Sequence, residues 1–338
     1  MPMTVLLLLA LVQGKPEPAR IDEAVAKAVL YLKPAAALAQ QDLELLLLAL
    51  AHGGLPPADP TFAAPLQRAC SLDLKMTYRT ALLAMTLEEI DPLRHQARLA
   101  RCAQFLLDSQ GESGEWSYGR STTYPDPLPV ESKAEESDLA IFEEPRPGAK
   151  SVPKQKIRVR QQRLLEPIGD NSNSAYAALG LRACHDAGIS LPVEAIERAL
   201  AWWRRSQNDK GAWAYGARGE ASGPMTAGAL GSRAILLHLL GKDWRQDACL
   251  KQGVEWLGAN LKVSSGRIGV NYYYLYGVER AGLLCGIERF GAHDWYAEGA
   301  AQLLAAQKAN GSWGSTTDTA FALLFLRRAT HSMVESGR

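Results

Sequence analysis

Cysteine is sparse in this chain and never paired. Cys70, Cys102, Cys184, Cys249 and Cys285 stand singly, with no C-x-x-C. That scatter gives no disulfide framework and no zinc knuckle, and it reads as small core residues. Alternating Val/Ile/Thr-rich runs are almost missing outside 156–165, which argues against a sheet protein. An excess of one charge is missing too: 37 Lys and Arg face 36 Asp and Glu, a net charge of +1 that gives no reason to expect nucleic acid as a partner. No uncharged run is long enough for a transmembrane span. The apolar run Met3–Val12, followed by Gln13-Gly14, instead reads as the hydrophobic region of a signal peptide occupying 1–14, although no Lys or Arg precedes it. The expectation is an exported, periplasmic protein whose mature chain starts near Lys15. The alternative is a cytoplasmic protein in which this run is a first helix, separated from 21–33 by Pro16 and Pro18.

What is present, three times, is the segment Gln-x-x-x-Gly-x-Trp, as Gln110/Gly114/Trp116, Gln207/Gly211/Trp213 and Gln307/Gly311/Trp313. Each copy follows an amphipathic helical stretch, and the first two continue as Tyr118-Gly119 and Tyr215-Gly216. A repeated helix end followed by a glycine turn and an aromatic marks a repeat architecture. Trp116 to Trp213 is 97 residues and Trp213 to Trp313 is 100, so each interval holds more than one helix pair. Apolar periodicity gives helices over 224–240, 245–261, 271–287 and 294–308, hence a period of about 50 residues, with an intermediate copy decayed to Gly266-Arg267-Ile268. Outward extension pairs 21–33 with 40–53, 60–72 with 76–88, 93–109 with 172–187, 193–206 with 224–240, 245–261 with 271–287, and 294–308 with 317–329. The stretch from Thr122 to Gly169 is then an insertion. Six hairpins that each need a neighbour to bury their apolar faces can close into a ring, so the expected fold is all-α, an (α/α)6 toroid over 15–338. The second helix of each pair is expected inside, nearly apolar all round, and the first outside and amphipathic.

The Gln/Gly/Trp segment resembles the defining repeat of the squalene-cyclase and protein-prenyltransferase family, over most of the chain after about residue 90. The chain is most similar to uncharacterised bacterial members of that family through Asp170–Leu181, Tyr273–Gly282 and Asp318–Leu326. The resemblance implies a structural motif, in which the Gln amide satisfies backbone groups of the neighbouring repeat and the Trp covers it. It also implies three catalytic arrangements to look for. An Asp-x-Asp-Asp box, which in cyclases protonates an alkene, is absent. The only Asp-x-Cys, Asp247-Ala248-Cys249, opens an outer helix, and no His opens an inner one, so no zinc site is expected. Cys285-Gly286-Ile287-Glu288 lacks the Gln of a thioester segment. No cofactor is expected.

If the inner helices run parallel, their N-termini gather at one mouth. Unsatisfied N–H groups there suit an anion, while Ser, Thr, Asn and Asp at the same places also suit simple capping. The residues expected to bind a ligand are Arg79, Asn173, Tyr176, Tyr272, Tyr273, Tyr276 and Phe321, with Asp170 and Asp318 as the weakest of candidates for acid catalysis, because a helix N-terminus lowers a carboxyl pKa. The insertion, acidic over Glu131–Glu144 and then basic over Lys150–Arg163, is expected to cover that mouth as a lid, and Ile157-Arg158-Val159-Arg160 within it has the alternation of a strand. Two function classes remain: a binding or interaction module that takes a small apolar or anionic ligand or a protein partner, and an isoprenoid cyclase or prenyltransferase-like enzyme with atypical acid residues.

Overall fold

The computed structural model describes residues 16–131, 155–263 and 270–332, so the expected signal segment 1–14 and the decayed copy at 266–268 lie outside the described residues. The fold is all-α. Its helices are α1 (Pro18–Leu38), α2 (Leu43–His52), α3 (Pro60–Ser71), α4 (Thr77–Ile90), α5 (Gln96–Asp108), α6 (Asn171–Asp186), α7 (Val193–Arg205), α8 (Gly223–Leu239), α9 (Ala248–Asn260), α10 (Tyr272–Cys285), α11 (Trp295–Ala306) and α12 (Thr316–Arg327). None is long and apolar enough to cross a membrane. The largest departure from the expected bounds is α1, which continues past Pro34 to Leu38. Arg68 on α3 donates to the carbonyls of Ala36, Ala37 and Ala39, satisfying the acceptors that the extra turn leaves open.

The even-numbered helices touch one another in order: α2 packs on α4, α4 on α6, α6 on α8, α8 on α10, α10 on α12, and α12 returns to α2. Their sequences explain this. Leu43–Leu50 of α2 and Thr319–Leu326 of α12 are buried on every side, as a helix flanked by neighbours all round must be. The odd-numbered helices are one-sided. In α7, which packs on α8, Ala195, Ile196, Ala199, Trp202 and Trp203 are buried, while the rest of the helix is charged or half-exposed.

The three motif copies join these elements with identical bonds. Each Gln donates through Nε2 to the Gly carbonyl four residues on and to a carbonyl in the next odd helix: Gln110 to Ala195, Gln207 to Cys249, Gln307 to Ala24. Each Trp donates its indole N–H to the carbonyl ten residues back, at Leu106, Trp203 and Leu303, and its backbone N–H to a hydroxyl of the following even helix, at Ser174, Thr226 and Thr319. Gln307 therefore ties the last hairpin to the first. The glycine between them is obligatory. Gly114, Gly211 and Gly311 have φ of +96°, +84° and +86°, and a Cβ on Gly114 would lie 2.1 Å from the carbonyl oxygen of Arg198 on the next odd helix.

The flanks of the insertion run down and back along α5. Thr122 and Gln162 bind Asp108 at its C-terminal end, Arg160 receives Gln104 midway, and Gln155 receives Gln96 at its start. At that far end β1 (Val130–Glu131), β2 (Lys156–Arg158) and β3 (Ile189–Ser190) form a three-stranded sheet, with Ile157 opposite Val130 and Ile189. The alternation at Ile157–Arg160 thus does form a strand, over Lys156–Arg158. The lid does not appear in these flanks: strand pairing beyond the C-terminus of α6 draws them away from the mouth, and 132–154 lies outside the described residues. β4 (Arg289–Phe290) and β5 (His293–Asp294) make a small hairpin before α11.

After α12 the chain turns through Arg328, in the left-handed region at φ 50°, and crosses the far ends of the even helices. Thr330 binds Glu279 of α10, the carbonyl of His331 accepts from Arg182 of α6, and the His331 ring reaches Glu89 of α4 at 2.8 Å. The described end of the chain thus bridges α10, α6 and α4.

Candidate functional site

The open end is where the even helices begin. Asp42 and Leu45 of the α2 start, Tyr78 and Leu82 of α4, Ser172, Asn173 and Tyr176 of α6, Tyr273 of α10, and Thr317 and Phe321 of α12 line one pocket of about 240 Å³. Tyr118 and Tyr215 complete its rim, exposed by 60% and 55%. Both come from the second residue after a motif tryptophan. The first two motif copies therefore each deliver an aromatic to the mouth, a role visible in the sequence only as the repeated Tyr-Gly, while the third copy has Ser315 at that place.

The floor is aromatic. Tyr176 and Tyr273 have ring centroids 6.5 Å apart, and Phe321 meets Tyr273 edge-on at 5.7 Å and Tyr276 at 5.9 Å. Beneath them the Arg280 guanidinium lies over Tyr276 at 4.3 Å and over Tyr176 at 5.3 Å. Around the rim, Asp42 accepts from Tyr78 at 3.3 Å and from Thr317 at 2.9 Å, and the hydroxyls of Ser172 and Tyr273 share a bond of 3.2 Å. Burial, and then the Asp42 carboxylate, push the Tyr78 phenol up to about 12; burial and then Asp170 do the same for Tyr215. Burial also raises Tyr176. These phenols stay protonated at neutral pH, so they donate hydrogen bonds and do not act as bases.

Asn173, Tyr176, Tyr273 and Phe321, expected from the sequence, meet here. Tyr276 lies one layer below. Tyr272 and Arg79 are not in the lining: Arg79 is held by Glu44 through two bonds of 2.8 and 3.0 Å beside a separate pocket of about 380 Å³ bounded by Leu72–Met76. Neither carboxylate proposed for acid chemistry is free. Asp170 caps α6, accepting from the backbone N–H and side chain of Asn173 at 2.8 Å each, and Asp318 completes a capping box with Ser315 on α12. Ser222 and Asn271 cap α8 and α10 in the same way, while Thr226 serves Trp213 instead. One first-turn amide in each of α6, α8, α10 and α12 is thus engaged by its cap, while α2 and α4 have no side-chain cap.

No protein-family model matches the chain, and no curated protein matches it either. The chemistry must be read from the residues. Among the described residues no three His, Cys, Asp or Glu side chains gather as a metal site would require. The carboxyl group best set apart for proton chemistry is Glu279, fully buried and raised to about 7 by burial, against the opposing effects of two Thr330 hydrogen bonds and the nearby Arg280 charge. Both of its oxygens are occupied, at 2.9 and 2.7 Å, and it does not line the pocket. Sequence reasoning passed over it because its partner is fifty-one residues away on a segment with no motif.

Proposed function

We propose that this chain is an (α/α)6 toroid of the squalene-cyclase and protein-prenyltransferase repeat family that works as a non-catalytic binding module through the pocket at the inner-helix mouth. The cyclic order of even-helix contacts and the Gln307 bond back to α1 support the closed ring. The family reading rests on the three equivalent sets of Gln and Trp bonds.

The observation that carries the function is the pocket itself. It is small, tyrosine-lined and floored by packed rings. At about 240 Å³ it falls below the roughly 300–1,000 Å³ of ordinary small-molecule sites, and a long polyisoprenoid needs more. Of the carboxylates near it, Asp170 and Asp318 serve as caps, Glu279 accepts from Thr330, and Asp42, in the pocket wall, accepts from Tyr78 and Thr317. On the N-terminal run Met3–Val12 we further propose that the protein is exported.

The test is incubation of the purified protein with squalene and with farnesyl diphosphate, followed by mass-spectrometric analysis of the extracts. Unchanged substrates are expected. A cyclised or transferred product that disappears in Glu279→Gln would make the chain an enzyme.

A further inference from the structure

Three arginines are fully or almost fully buried among the described residues: Arg182, Arg233 and Arg280. Arg182 pairs with Asp186 at 3.3 Å, and Arg233 grips Asp247 at 2.6 and 3.1 Å. Arg280 is different. It is 3% exposed, it makes no ion pair among the described residues, and its Nη1 has no hydrogen-bond partner. The neighbouring carboxylate, Glu279, gives both oxygens to Thr330 and interacts with the Arg280 charge through space without a direct bond. Aromatic faces offset only part of the cost of burying a guanidinium, and a buried cation is normally balanced by an anion.

The side chain is directed at the pocket. Helical side chains lean toward the N-terminus of their helix, and the N-terminus of α10 is at the mouth. The guanidinium follows that rule: a Cβ placed on Gly277, one turn earlier, would lie 4.0 Å from Arg280 Nη2. Tyr273, two turns earlier on the same stripe, lines the pocket, as does Tyr176, on whose ring Arg280 rests. The guanidinium, with its Nη1 left without a partner, therefore sits one ring thickness beneath the floor.

Resting on the mouth-pocket reading, we propose that the pocket takes the carboxylate of a small apolar monoacid, with Arg280 as its counter-charge and Leu45, Leu82 and Phe321 against its hydrocarbon. A single negative charge fits better than a phosphate. No Lys or Arg lines the pocket to balance a second charge, and Asp42 lies in its wall. The tyrosine hydroxyls supply donors for the carboxylate oxygens, and the pocket volume limits the chain to a few carbons.

The experiment is calorimetric titration of hexanoate, hexanol, hexylamine and hexyl phosphate into the full-length wild type, Arg280→Met and Arg280→Lys. Hexanoate is expected to bind the wild type, to lose at least about tenfold in affinity in Arg280→Met, and to keep part of that affinity in Arg280→Lys; hexylamine is expected not to bind. Such a tenfold loss corresponds to about 1.4 kcal/mol. Hexanol binding as tightly as hexanoate would overturn the carboxylate and leave the pocket standing, and that comparison holds even if Arg280→Met does not fold. Tighter binding of hexyl phosphate would replace the monoanion. A wild type that binds none of the probes would overturn the pocket reading as well.

Discussion

Glu279→Gln should make the protein more stable at high pH and change it little in acid. The glutamine preserves both bonds to Thr330, accepting from its backbone N–H and donating to its hydroxyl, while removing a carboxyl group that must otherwise ionise without water. In the fold that group titrates at about 7, against 4.5 for an ordinary glutamate, with burial as the first cause. Its pKa is raised, so its contribution is complete below pH 4.5 and is lost as pH rises through 7. A displacement of that size is worth about 3 kcal/mol once both states are ionised, above about pH 8, and under about 1 kcal/mol at pH 5. Urea unfolding of both proteins between pH 5 and pH 9 measures it, because the other titrating groups cancel in the difference. A difference that stays flat across that range would refute the reasoning, since it would mean that Glu279 ionises in the fold as easily as in the unfolded chain.

Two further outcomes follow from the motif. Trp213→Ala removes a fully buried indole with a 2.8 Å bond to Trp203 and should cost about 3–5 kcal/mol in urea unfolding while leaving pocket ligands bound; an unchanged melt with binding lost would make the motif functional. Gln307→Leu leaves the carbonyls of Ala24 and Gly311 without their side-chain donor and should cost about 1–3 kcal/mol, with faster amide exchange in α1; unaltered exchange there would mean that the last and first hairpins do not depend on each other.

The helices were legible because their information is local. Apolar periodicity marks α7 and α8, and the Gly of each motif copy announces a left-handed turn that only glycine adopts freely. The pocket was legible in part for the same reason: once six parallel inner helices are inferred, Asn173, Tyr176, Tyr273 and Phe321 fall at the mouth by register alone. What escaped depends on partners distant in sequence. Arg79 looked like a mouth residue until Glu44 was found opposite it. The insertion leaves from the mouth end, yet in its described flank Ile157 pairs with Ile189 beyond the far end of α6, and no local pattern specifies that register. The crossing of Thr330 and His331 beneath the array, and the paired role it gives Glu279, have no sequence signature.

The most direct measurement is native mass spectrometry of the purified wild type beside Tyr273→Ala, with the released small molecules identified after denaturation. A functional mouth pocket predicts a small molecule carried by the wild type and lost or strongly depleted in Tyr273→Ala, with both proteins folded by circular dichroism. Identical occupancy in the two proteins, including none in either, would contradict it.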